Sequence, residues 1–268
     1  MTGRVRSRRR APASYLFPAA PRVLAHRGLA IEAPENTLLA FLRALALGLT
    51  HLEIDVRASR DGVAVISHDH SLERLTGRSI RLDALTMAEL SEIDLGDEQT
   101  FCRLDEALDA FPDARFNIDI KSPDAVRPTV DAIIATGSID RVLVTSFSEG
   151  RRRAAVRRLP GVASSASNSL FAVALLAGKL GLTPVVAFVL RGVDAVQVPE
   201  RRHGIRIVTP RMLRLFHAAG VEVHVWTVND VDDMVRLLDS GADGLVTDRA
   251  DLAVRVVAQY RSDSRCGS

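Results

Sequence analysis

The sequence predicts an α/β protein folded as a single (β/α)8 barrel, and three observations lead there. Short β-branched runs alternate with helix-like stretches over about 250 residues, as a parallel sheet covered by helices requires. Several of those runs end in charged residues, at the strand tips where a barrel carries its chemistry. No glycine-rich phosphate loop follows the first run, which sets aside a doubly wound nucleotide fold. The chain has 268 residues, 47% of them hydrophobic and 25% charged, enough to fill one large core.

The first ten residues carry five arginines (Arg4, Arg6, Arg8, Arg9 and Arg10) and no acid. The stretch 13–18 that follows is short and broken by Pro18, so it lacks the apolar region of an export signal. A disordered basic arm is therefore expected over 1–20, a barrel domain over 21–260 and a flexible tail over 261–268. The first strand is Val23-Leu24-Ala25-His26, and a helix enters at Pro34-Glu35-Asn36-Thr37 and leaves at Gly48. A strand over 52–56 is followed, past Asp61-Gly62, by another over 63–68. The link between them is too short for a parallel crossover, so a hairpin-like excursion is expected.

Residues 70–100 are polar and read as a small insertion after the His68 strand, with a helix over 86–93. A helix over 105–111, a strand over 116–121, a helix over 126–136 and a strand over 142–147 follow. Residues 163–167, 185–190, 195–198, 221–228 and 244–247 are further strand candidates, more than eight in all, and a helix over 250–260 closes the domain. The apolar stretch 170–190 is interrupted by Gly178, Lys179, Gly181, Thr183 and Pro184. It reads as a buried helix closed by Gly181, a turn at Thr183-Pro184 and a strand over 185–190, with no stable membrane insertion.

A net charge of +2 gives no basic surface for nucleic acid. Cys102 and Cys266 lie far apart, which excludes a disulfide framework and a cysteine metal cluster. A reducing, cytoplasmic setting is expected.

Strand side chains alternate faces, so Glu53 and Asp55 project together while Leu52, Ile54 and Val56 project the other way. An acidic pair turned to the barrel axis needs a cation, and such oxygen ligands suit Mg2+, Ca2+ or Mn2+. Asn117, Asp119 and Lys121 share a face in the same way. Asp119 can supply a third carboxylate, and Lys121 a positive charge for a phosphate oxygen. His26 and His68 each follow an apolar run and are the candidates for proton transfer near neutral pH. Arg27 stands beside the first, and Gly28 serves the turn out of the strand. Asp69 either orients a histidine or caps a turn. His51, His70, His203 and His217 are read as ordinary core or surface residues, and His224, which shares a face with Trp226, as packing.

In order along the chain stand His26-Arg27-Gly28, Pro34-Glu35-Asn36-Thr37, Glu53-Ile54-Asp55-Val56, Arg60-Asp61-Gly62, His68-Asp69, Val225-Trp226-Thr227-Val228-Asn229 and Gly244-Leu245-Val246-Thr247-Asp248. Over about residues 22–255 this resembles the glycerophosphodiester phosphodiesterase family. The resemblance implies a TIM barrel that hydrolyses glycerophosphodiesters to sn-glycerol 3-phosphate and an alcohol with one divalent cation, in glycerol and lipid metabolism. It implies His26 and His68 as the acid–base pair, with Glu53, Asp55 and Asp119 as metal ligands. Arg27 and Lys121 would hold the phosphate, Glu35 would support the first histidine or the metal shell, and Trp226 would wall the glycerol. The family usually carries Glu where this chain has Asp119. The shorter side chain ligates directly only if its strand sits closer, or else through a water. Two other readings remain open: a lysophospholipase D or sphingomyelinase D type of lipid phosphodiesterase, with residues 170–190 giving an apolar groove, and a barrel that binds phosphorylated ligands without turnover.

Overall fold

The computed structural model describes residues 14–266 apart from Glu32 and His203. Residues 1–13, the arginine-rich stretch, lie outside the described residues, as do His203 and the last two. The elements run β1 (Arg22–His26), α1 (Leu38–Ala46), β2 (His51–Ala58), β3 (Ala64–Ile66), α2 (Glu73–Thr76), α3 (Met87–Ser91), α4 (Leu104–Ala110) and β4 (Arg115–Ile120). Then come α5 (Val126–Ala135), β5 (Val142–Thr145), α6 (Glu149–Val156), β6 (Ala163–Ser164), α7 (Asn168–Lys179), α8 (Thr183–Val189) and β7 (Ala195–Pro199). The chain finishes with β8 (Arg201–Arg202), β9 (Ile205–Arg206), α9 (Pro210–Ala218), β10 (Glu222–Trp226), α10 (Val231–Asp239), β11 (Gly244–Thr247) and α11 (Ala250–Cys266).

Eight strands run parallel in the order β6-β5-β4-β2-β1-β11-β10-β7. A bridge between Ser165 and Ala195 joins the two outer strands and closes the ring. The alternation read from the sequence sets its two faces: Leu52, Ile54 and Val56 sit fully buried in the main core beneath the helices. Glu53 and Asp55 point the other way, into the barrel. The short link at Asp61-Gly62 returns β3 antiparallel to β2, as a hairpin must. Residues 70–100 add α2 and α3 over a satellite core that includes Leu72, Leu82, Leu90 and Phe101. Thr86 and Glu89 form a reciprocal capping box that starts α3.

Four expectations are corrected. Residues 185–190 are not a strand but lie in α8 and its end. The Ser165–Ala195 bridge already joins the strands on either side of this segment and leaves no place between them, and Pro184 suits a first helical turn, where a missing N–H costs nothing. The stretch before it is helical but buried on one face only: Ala174 and Ala177 of α7 are covered, while Leu176 and, just past the helix end, Leu180 are 61% and 65% exposed. Order begins before residue 21: Ser14–Leu16 form a 3-10 turn, and Tyr15 is fully buried against Leu143, Ala163 and Ala195 at the barrel floor. His51 Nε2 pairs with the Tyr15 carbonyl at 3.0 Å, and Arg22 ties the segment down through the carbonyls of Leu16 and Pro18. At the other end α11 continues to Cys266, so 261–266 are helix, with Arg261 donating to the Pro21 carbonyl at 2.8 Å.

Candidate active site

Register alone assembles most of the site. β2 pairs with β4 so that Glu53 lies beside Asn117 and Asp55 beside Asp119, and β1 pairs with β2 so that His26 lies beside Glu53. All are inward positions, with His26 at the C-terminus of β1 and Asp119 near that of β4. His68 arrives from the loop after β3, held as Ser67 N–H donates to the Asp55 carbonyl at 2.9 Å. Together with Arg27, Lys121 and Trp226 they line one cavity of about 280 Å3. The turn that delivers Arg27 has no room to spare. Gly28 has φ +84°, and a Cβ there would meet the Ala40 backbone carbon of α1 at 2.7 Å.

Each histidine has a carboxylate behind it. His26 Nδ1 is 2.6 Å from Asp248 Oδ1, and His68 Nδ1 is 2.8 Å from Asp69 Oδ1. A carboxylate only accepts, so in both rings Nδ1 carries the proton and Nε2 is the atom left for proton exchange. Asp248 is itself fixed: Asn229 Nδ2 donates to its Oδ2 at 2.8 Å, while Asn229 Oδ1 accepts from the Asp248 N–H and the Thr247 hydroxyl. Burial disfavours the charged form of His26, but the Asp248 hydrogen bond and the Glu53 charge outweigh it, and its pKa is raised.

The acidic side of the cavity is unevenly compensated. Lys121 Nζ lies 2.7 Å from Asp55 Oδ1 and 2.6 Å from Asp119 Oδ2, and Arg27 Nε is 3.2 Å from Asp55 Oδ2. Burial works against the charge on Asp55, yet Lys121 and Arg27 together hold its carboxyl below the usual range. Asp119 shares Lys121 but is raised by burial, and its Oδ1 is buried with no hydrogen-bond partner. Glu53 fares worst. Burial, then the Asp55 charge, push it up to about 8, with His26 Nε2 no nearer than 3.8 Å.

Among the described residues no three His, Cys, Asp or Glu side chains form a ready-made metal cluster. The donors nonetheless suit a hard divalent cation: three carboxylates face one cavity, one with an orphaned oxygen and one with no cation of its own.

Most sequence candidates converge here, and of the two places expected for Glu35 the one beside the first histidine is not taken, while Arg27 links it to Asp55. The Glu35 carboxylate touches neither histidine. It bonds Arg27 Nη1 at 2.9 Å and Arg74 Nη2 at 2.5 Å. Arg74, from the insertion, also reaches Asp69 Oδ2 at 2.5 Å and so ties the His68 partner to the Arg27 partner. Sequence reasoning missed Arg74, which lies in a polar stretch with no pattern. Asp248 was also missed, although it follows an apolar strand in a motif already noted. Asp69, left open between two roles, orients His68. Trp226 and Phe147 line the cavity with their rings, centroids 6.3 Å apart. His224 is fully buried at the barrel interior beside Glu222, a packing role.

Residues 26–252 match the model of the glycerophosphoryl diester phosphodiesterase family. The chain is 45% identical over 231 residues to a probable glycerophosphodiester phosphodiesterase 2 of Mycobacterium tuberculosis, covering 85% of this chain and 88% of that one. The fold is similar to that of a crystal structure from Silicibacter pomeroyi, at TM-score 0.78 and 24% identity over 93% of this chain and 98% of that one. It is similar also to an Oleispira antarctica phosphodiesterase in complex with the product sn-glycerol-3-phosphate, at TM-score 0.75 and 24% identity, covering 91% and 99%.

Proposed function

The chain belongs to the glycerophosphoryl diester phosphodiesterase family and is a phosphoric diester hydrolase, and we propose that His26 and His68 carry the proton transfers at a metal-assisted site. The proposed reaction converts a glycerophosphodiester to sn-glycerol 3-phosphate and an alcohol. The product bound in the Oleispira structure supports this substrate class. The observation that carries the reading is the pair of imidazoles, each backed by a carboxylate at Nδ1, opening on one cavity with Lys121 and Arg27.

One histidine takes the proton of the attacking oxygen through Nε2, and the other gives its proton to the departing alkoxide. General acid–base steps of this kind contribute about 10²–10⁴-fold each. Arg27 and Lys121 provide fixed positive charge for the phosphate, and Glu35 and the paired acids keep both side chains in place. Trp226 and Phe147 give the glycerol carbons an apolar face. Glu53, Asp55 and Asp119 would hold the divalent cation, Mg2+, Ca2+ or Mn2+, and its positive charge would let Glu53 ionise. Bound there, the ion supplies Lewis-acid polarisation of the phosphoryl group.

The test is release of sn-glycerol 3-phosphate from glycerophosphocholine by the wild type and by His26→Ala and His68→Ala. Both variants should fold and lose turnover; wild-type rates in either sink the acid–base assignment. Lysophosphatidylcholine assayed beside it reads the alternative of a lipid-headgroup enzyme, which would prefer the acylated substrate.

A further inference from the structure

α7 and α8 form a hairpin on the outside of the barrel, and its outer face is apolar. On α7 and its C-terminal cap, Val173, Leu176 and Leu180 recur at helical spacing and point away from the core, while Ala174, Ala177 and Gly178 face inward. On α8, Val185 and Phe188 do the same, and Phe188 is 69% exposed. Single exposed apolar residues are ordinary on a soluble protein. A contiguous set this large marks a surface that something covers.

The charges carried by the hairpin itself and by α9 are of one sign. Residues 165–193 and 201–221, which build the hairpin and the α9 helix against it, contain no acidic residue, although the chain carries 33. Exposed Lys179, Arg191 and Arg211 border the face and form no ion pair among the described residues. Arg191 lies over the Phe188 ring at 5.6 Å, and the Arg211 guanidinium reaches the α7–α8 turn, 3.8 Å from where a Gly181 side chain would begin. A second copy of the chain is a poor occupant, because a two-fold contact would set these cations against one another. Leucine and phenylalanine projecting between lysine and arginine match a negatively charged lipid interface, with apolar groups entering the acyl boundary and cations meeting headgroups.

We propose that the α7–α8 face docks the enzyme peripherally on an anionic lipid surface. No described helix is long and apolar enough to cross a membrane, and the contact is adsorption at the interface. α7 starts at Asn168, which lines the catalytic cavity, so docking holds the cavity close to the surface from which glycerolipid-derived diesters arise. Docking through this face is separate from the proton transfers assigned to His26 and His68.

The experiment is co-sedimentation of the full chain with vesicles of phosphatidylcholine alone and of phosphatidylcholine mixed with phosphatidylglycerol. The wild type should bind the mixed vesicles, and sodium chloride should weaken the binding. The Leu176→Glu/Phe188→Glu double variant keeps the arginine-rich first ten residues and should bind at least about tenfold more weakly. It should still hydrolyse soluble glycerophosphocholine at the wild-type rate, which shows that it folds. Absence of wild-type binding overturns the proposal. Undiminished binding by the variant overturns it as well, since the basic arm would then carry the attachment. A wild-type dimer in sedimentation velocity that the variant dissolves would show a second copy covering the face instead.

Discussion

Asp248→Asn perturbs one link and leaves the shape of the site unchanged. In the wild type, Asn229 is locked in orientation because its Oδ1 accepts from the Asp248 N–H and from Thr247, so its Nδ2 must donate to residue 248. An asparagine at 248 has one acceptor and two neighbours that need it. If its oxygen faces Asn229, its NH2 faces His26 Nδ1 and forces the proton onto Nε2, the wrong tautomer for a base. If its oxygen faces His26, two NH2 groups oppose each other. Either way, His26 also loses the charged partner that raises its pKa. The analogous substitution behind a buried catalytic histidine costs about 10⁴-fold. The Asp248 side chain is 51% exposed, so water softens the effect, and about 10²–10³-fold in kcat/KM is expected. That corresponds to about 2.7–4 kcal/mol of transition-state stabilisation. The pH profile of kcat/KM on glycerophosphocholine is the readout, and the limb governed by His26 should move to lower pH. Adding Asn229→Asp restores an acceptor for the new amide and should recover part of the loss. A single variant within threefold of wild type, with its profile unmoved, refutes the relay.

Four further outcomes are expected. Gly28→Ala places a Cβ against the α1 backbone at φ +84° and should cost about 2–5 kcal/mol in denaturant unfolding, combining left-handed strain with overpacking; an unchanged midpoint would show that the turn can shift freely. Tyr15→Ala empties a fully buried aromatic site at the barrel floor and should cost about 3–5 kcal/mol by the same measurement, against about zero for a frayed arm. Lys121→Met should reduce kcat/KM at least about 10²-fold. It should also change stability in acid: the folded Asp55 pKa is depressed, so its contribution is full above the ordinary carboxylate pKa of about 4 and lost as pH falls through the folded value. Without Lys121 that acid-side slope should shrink, and a curve identical to wild type would contradict the pairing. Finally, a chelator should abolish turnover and Mg2+, Ca2+ or Mn2+ restore it, whereas full activity in chelator would remove the metal from the reaction.

The barrel and the polar lining of its cavity were legible because both are periodic. Alternation along β2 and β4 put Glu53, Asp55, Asn117 and Asp119 on one face, and parallel pairing then left them no destination but the barrel axis. The strand tips carrying His26 and Lys121 were legible for the same reason. Residues 185–190 misled because valine-rich runs suit both strand and helix, and only ring closure, a property of all eight strands together, left them no place between β6 and β7. Tyr15 and Arg74 carried no local signal: one plugs the barrel floor and the other spans from the insertion to Glu35 and Asp69, through contacts between segments far apart in the chain. The sequence by itself determined which side chains face the axis, since a period of two residues is a local property. Only the tertiary structure decided how they share charge: one lysine between Asp55 and Asp119, and Glu53 without a cation. Compensation inside a buried cavity depends on distances that no spacing along the chain encodes.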